Sequence, residues 1–226
     1  MVFFFYIIGL TSIKAQQNLM SNASGYLGSF TLEKGRQPGQ DRYHGIENSP
    51  YLNEEFKVGI LKLRGGKVFE DQKFKFNIYE NKIEYILEDK TYELSVGLEE
   101  FGWDKTNVGY TTLFRSESSL TKNGNPLVYY QIIADGEVKL LKQIKTAIKV
   151  VPDPIALGID KKEFTNTESY FILKNDTITK VKKDKKSIVE ALGGESPAVK
   201  NAIDALKTKF NSWESITELI QALATK

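Results

Sequence analysis

The 226-residue chain contains no cysteine, one histidine, two methionines and two tryptophans. The missing cysteine excludes disulfides, thiolate metal sites, cysteine nucleophiles and attachment of a lipid through an N-terminal cysteine, so the fold must stand on its apolar core. A single histidine, His44, leaves zinc without the further nitrogen or sulfur ligands it needs. A serine–histidine–acid arrangement would have to use that same residue, and no Gly-x-Ser-x-Gly element accompanies it. Net charge is also nearly absent. Thirty-one basic and 29 acidic side chains leave +2, which offers no whole-molecule attraction to nucleic acid or anionic lipid. There is no phosphate-cradling glycine motif and no internal repeat.

One apolar run stands out, from Val2 to Ile13, ending at Lys14-Ala15-Gln16. It is too short for a membrane-spanning helix and has the length of a signal-peptide core, with the small Ala15 where a signal peptidase would cut. Residues 1–15 therefore read as a signal peptide. The expected location is the periplasm, the cell envelope or the medium.

Residues 16–48 are rich in Gly, Ser, Asn and Gln and read as a loosely ordered lead-in, with one strand-like stretch at Tyr26–Leu32. From 49 to 183 a period of two takes over: Phe74, Phe76 and Ile78 share one face of a strand, Lys73, Lys75 and Asn77 the other. Strands are expected at 56–64, 67–79, 82–88, 91–97, 108–115, 127–134, 137–151 and 169–182. Gly65-Gly66, Glu80-Asn81, Asp89-Lys90, Asp135-Gly136 and Asn175-Asp176 supply turn chemistry between strand-like segments. Pro152-Asp153-Pro154 breaks the pattern and opens a loop to about Phe164. No helical crossover joins successive strands, which argues against a parallel, doubly wound sheet.

Over 184–226 the period changes to that of a helix. Ile188 and Leu192, then Val199, Ala202, Ile203, Leu206 and Phe210, then Ile216, Leu219, Ile220 and Leu223 form an apolar stripe. Ser196-Pro197 and Ser212 with Glu214 read as helix starts. The expected fold is α+β, mainly β: an antiparallel meander, curved sheet or partial barrel over 49–183, followed by about three short helices packed on it.

The order of these pieces, with "SPYLNEEFKVGILKLRGGKVFEDQKFKFNIYENKIEYILEDKTYELS", "GEVKLLKQIKTAIK" before a proline break, and "TESYFILKNDTITKVKKDKKSIVEAL" before the closing helices, resembles a family of exported Bacteroidota proteins of the flavobacterial type. The resemblance runs from about residue 46 to 224. It implies an envelope or secreted location, and it brings no catalytic residue, ligand or activity with it.

The candidate site residues have bland readings beside them. His44 has Asp41, Glu47 and Asn48 close in sequence, but their spacing matches no calcium loop, and the stretch reads as a surface loop. The pairs Glu54-Glu55 and Glu99-Glu100 sit on adjacent strand positions, which point to opposite faces, so neither pair converges on one bond by itself. The aromatic and basic residues of "KFKFNIYENKIEYI" alternate between faces, unlike a nucleic-acid stacking platform, and the lysines read as solvent cover. The basic run Lys180–Lys186 reads as a solvated link. In the stretch from Ser49, Pro50 sets a turn, Tyr51 and Leu52 plug the sheet's end, and Phe56 and Val58 begin the first firm strand. No catalytic, cofactor-binding or metal residue is assigned; the partner is unknown, an envelope protein or a lipid being the candidates, no membrane-spanning segment is expected in the chain after residue 15, and nucleic acid is not expected. The expected role is that of an exported, non-catalytic binding or structural module in the envelope or medium. The alternatives are a carrier of a lipid or other apolar ligand inside a curved sheet, and a hydrolase using acids assembled across the fold.

Overall fold

The computed structural model describes residues 36–39, 41–94, 96–107, 109–116, 128–152, 155, 158 and 160–224. The apolar segment 1–15 and the strand-like stretch Tyr26–Leu32 lie outside them. Alternating residues fold into eleven strands: β1 (Ile46–Glu47), β2 (Lys57–Leu63), β3 (Val68–Asn77), β4 (Lys82–Leu87), β5 (Lys90–Glu93), β6 (Leu98–Thr106), β7 (Gly109–Ser116), β8 (Tyr129–Ala134), β9 (Val138–Pro152), β10 (Asp160–Lys174) and β11 (Thr177–Val181). They form one open, curved sheet in the order β1-β10-β9-β8-β7-β6-β2-β3-β4-β5, with β11 also on β10. Every pairing is antiparallel except the short parallel contact of β1 with β10. Two of the tightest turns, Glu88-Asp89 and Asn175-Asp176, hold both central residues at positive φ between 49° and 60°. That is the turn form whose twist matches the strands it joins.

The sheet curls until distant strands touch. β3 and β8 are four strand steps apart, about 19 Å on a flat sheet, yet the rings of Phe76 and Tyr129 lie 5.9 Å apart and those of Phe76 and Phe114 5.8 Å. The bend falls at β2, whose register shifts against β3 after Gly59 and against β6 near Leu63. Bulges of this kind increase local twist and bend a strand. Gly59 is required there because a Cβ at that position would collide with the Gly102 carbonyl of β6.

The concave face is filled by Phe74, Phe76, Tyr85, Phe101, Trp103 and Phe114, all buried. Farther along, the same face of β8–β10 is covered by three helices, α1 (Lys185–Ala191), α2 (Pro197–Leu206) and α3 (Trp213–Ala224). Ile188 and Leu192 of α1 and the α1–α2 turn, and Ile216, Leu219 and Ile220 of α3, pack on Leu140 and Ile172. The helices start as their caps dictate: Asp184 accepts the Ser187 N–H, and Ser196 accepts the Val199 N–H with Pro197 at the first helical position. Leu141, adjacent to Leu140, points to the opposite face and is buried there with Tyr130 and Leu173.

Three expectations need correction. The strand expected at 91–97 ends at Glu93, and Leu98–Thr106 forms the separate strand β6. Its neighbouring glutamates and Gly102 hide the alternation. The strand expected at 169–182 is two strands, and β10 begins at Asp160, inside the expected loop. Apart from the buried Phe164, the first half of β10 is polar on both faces. It is held by a continuous backbone ladder to β9, from Asp160↔Pro152 to Lys174↔Val138, with Phe164 as its one buried apolar side chain. Leu206 is not in the core: it is 40% exposed, because α2 ends there at a left-handed Lys207 cap.

Candidate functional site

The outer face of β3–β5 carries three buried polar residues, Asn77, Glu84 and Glu93. Burying carboxylates is costly unless they are paired, and the partners arrive from segment 36–51. Arg42 Nη1 donates to Glu80 (3.0 Å) and to Glu93 (2.6 Å), and its Nη2 donates to Glu84. The Tyr43 hydroxyl donates to Glu80 (2.7 Å) and accepts from Asn77 Nδ2 (2.7 Å), while the Tyr51 hydroxyl donates to Glu84 (2.9 Å). Lys82 reaches Glu80 (3.3 Å) and Glu93 (3.1 Å), and Lys75 lies 3.6 Å from Glu84. Three carboxylates thus meet three cations, Arg42, Lys75 and Lys82, and the network is neutral.

Its titrations follow from this geometry. Burial works against the Arg42 charge, but Tyr43 and the Glu84 and Glu80 carboxylates outweigh it and raise the pKa above its ordinary value. Burial is the chief cause that pushes the Tyr43 phenol up to about 12. Burial, with the charge of Glu84 and its hydrogen bond, raises Tyr51 as well. For Glu80, burial pushes upward, yet the Tyr43 hydrogen bond and the Arg42 charge win and hold it below its ordinary value.

The same segment ties the two ends of the sheet together. At one end the Glu93 N–H of β5 donates to the Arg36 carbonyl (3.1 Å). At the other, β1 pairs with β10, Asn48 donates to the Phe164 carbonyl (3.2 Å), and the Tyr43 ring meets Phe164 edge-on at 5.3 Å. Tyr79 closes the aromatic contact, 5.3 Å from Phe164.

Between this strap and the strands lies an open cleft of about 560 Å³. Tyr51, Phe56 and Lys75 line one part of it, the Lys75 ammonium sitting 3.6 Å from the Tyr51 ring centroid and 4.8 Å from that of Phe56. Gln37, Asp41, His44, Lys90 and Thr91 line others. Among the described residues, the side chains of Asp41, His44 and Lys90 enter no hydrogen bond or ion pair.

The structure separates most of the residues singled out in the sequence. Asp41 and His44 line the cleft, but Glu47 turns away to Lys161 (2.6 Å) and Asn48 to β10, so the four do not converge. Among the described residues no group of three His, Asp or Glu is placed to hold a metal. Glu54 and Glu55 are exposed. Glu99 and Glu100 are bound to separate cations, Lys62 and Arg115. The lysines of the 180–186 run are exposed. Lys75 corrects the reading of the strand lysines as solvent cover, since its side chain is only 14% exposed. Sequence reasoning missed Arg42, Tyr43, Glu84 and Glu93, and it gave Tyr51 and Phe56 only structural parts. An arginine beside a tyrosine in a glycine-flanked loop was the one available signal.

Fold and site together define a curved β-sheet body, capped by helices, with a strapped polar cleft on its outer face. No family model, no curated protein and no solved structure matches this chain.

Proposed function

We propose that the protein is an exported, non-catalytic binding module and that the cleft under the 36–51 strap holds its ligand. One observation carries this reading: the cleft is built over a neutral, fully paired network, while Asp41, His44 and Lys90 on its walls remain unengaged. A rigid floor with unspent polar groups above it binds with little ordering cost. Export rests on the apolar core that ends at Ala15.

The competing roles have less support. A lipid carrier needs room on the concave face, which aromatic side chains fill. A glycosidase-type hydrolase needs one acid kept protonated, whereas Glu80, Glu84 and Glu93 are each paired with cations and Glu80 is held below its ordinary pKa.

The test is to extract the protein gently from the cells that make it, denature it, and identify what it releases by mass spectrometry. A polar small molecule is expected from the parent and should be missing from Thr91→Trp, which fills the cleft. A bound lipid, or an equal load on the variant, would overturn the proposal.

A further inference from the structure

We infer that the ligand of this cleft is a saccharide, bound through its hydroxyls and its apolar ring faces; this rests on the reading of the cleft as the binding site. The unengaged groups on the walls are of every kind. Asp41 offers only acceptors, Lys90 only donors, and Gln37 and Thr91 both. An anionic ligand would be drawn to Lys90 but would face Asp41 on the same walls. A cationic ligand would be drawn to Asp41 but would meet Lys90 instead. Arg42, the strongest cation nearby, is already saturated by three carboxylates and has no charge left to offer an anion. A ligand whose groups each donate and accept, and which carries no charge, satisfies such walls without a mismatch.

The aromatic surface points the same way. Tyr51 and Phe56 contribute rings to the cleft, and the Lys75 ammonium against both holds them in place before anything binds. The C–H faces of a sugar ring are apolar and pack on the part of those rings that lines the cleft and is not covered by the Lys75 ammonium, while its hydroxyls reach the polar groups around them. A wholly apolar ligand would bury Asp41, His44 and Lys90 without partners, which costs free energy. The volume, about 560 Å³, falls inside the range of roughly 300–1,000 Å³ typical of ligand sites.

Isothermal titration calorimetry on the protein as purified from its native cell tests this with cellotetraose, maltotetraose, laminaritetraose and chitotetraose, and with inorganic phosphate and free glutamate as charged probes. At least one neutral tetrasaccharide should bind, and Asp41→Asn and Lys90→Ala should each weaken it about tenfold, the order of one lost hydrogen bond. Both positions are exposed, so neither change should alter folding. Phe56→Ala should weaken the same saccharide with unchanged heat from any charged probe. Binding of phosphate or glutamate alone, lost in Lys90→Ala, would overturn the saccharide while leaving the cleft a binding site. Saccharide binding indifferent to all three variants would overturn the cleft itself. No heat with any tetrasaccharide would overturn the inference.

Discussion

Arg42 holds together groups that would otherwise be costly to bury. Its guanidinium pairs with Glu80, Glu84 and Glu93, and Glu84 is only 2% exposed. Removing one partner of a buried charge cluster leaves the others unpaired, so Arg42→Ala should destabilise by about 3 kcal/mol. Arg42→Lys should recover little, because an ammonium lacks the planar fork that reaches carboxylates on several sides. Urea unfolding of the three proteins would measure both effects, and an Arg42→Ala midpoint equal to the parent's would refute the role. Its neighbours set the pH limits. Tyr43 is raised from 10.0 to about 12, so the fold favours the neutral phenol. That stability is fully present below pH 10 and is lost as pH rises through about 12. Glu80 is lowered, so its share is present above the ordinary carboxylate range and is lost as pH falls through its depressed value. Tyr43→Phe removes the phenol and its hydrogen bond to Glu80, and should flatten both arms of a plot of melting temperature against pH.

At the scale of elements, the ends of the helices matter more than their apolar pattern. Leu206 belongs by spacing to the stripe of α2, yet it stands at the last helical position and is 40% exposed. Leu219 of α3 is fully buried against the sheet. Leu219→Ala should therefore cost about 3 kcal/mol, whereas Leu206→Asp should stay within about 0.5 kcal/mol of the parent. Thermal melts of the two variants side by side decide it, and a large loss in Leu206→Asp would mean that the α2 end is covered. The sheet shows the same dependence on context. The first half of β10 holds its place through the ladder to β9 and the single buried Phe164, and the polar residues around that ring give no sign of a strand.

For the whole molecule, the strap from Arg36 to Tyr51 links β5 at one end of the sheet to β10 at the other, and the cleft exists because of that crossing. Among the described residues no helix is long and apolar enough to cross a membrane. The signal peptide expected from the sequence at 1–15 predicts that the protein isolated from its native cell begins at Gln16 and is recovered outside the cytoplasm. N-terminal sequencing after fractionation checks this, and Met1 on a cytosolic protein would contradict it.

The order of neighbouring pieces was legible without coordinates. Alternating residues such as Phe74, Phe76 and Ile78 set a strand and its buried face, Asn175-Asp176 set a reversal, and Asp184 and Ser196 set helix starts, because each depends on residues a few positions apart. The mainly β class with helices at the C-terminal end follows from those local signals. The cleft was not legible. Arg42 meets Glu84 and Glu93 across 42 and 51 residues of chain, and on β4 and β5 those glutamates look like any outward-facing acids. Only when the sheet curls at Gly59 and the strap crosses from β5 to β10 do they become buried partners and Tyr51 and Phe56 a wall. Side-chain period reports which face a residue takes, but what covers that face is decided by the path of a distant segment.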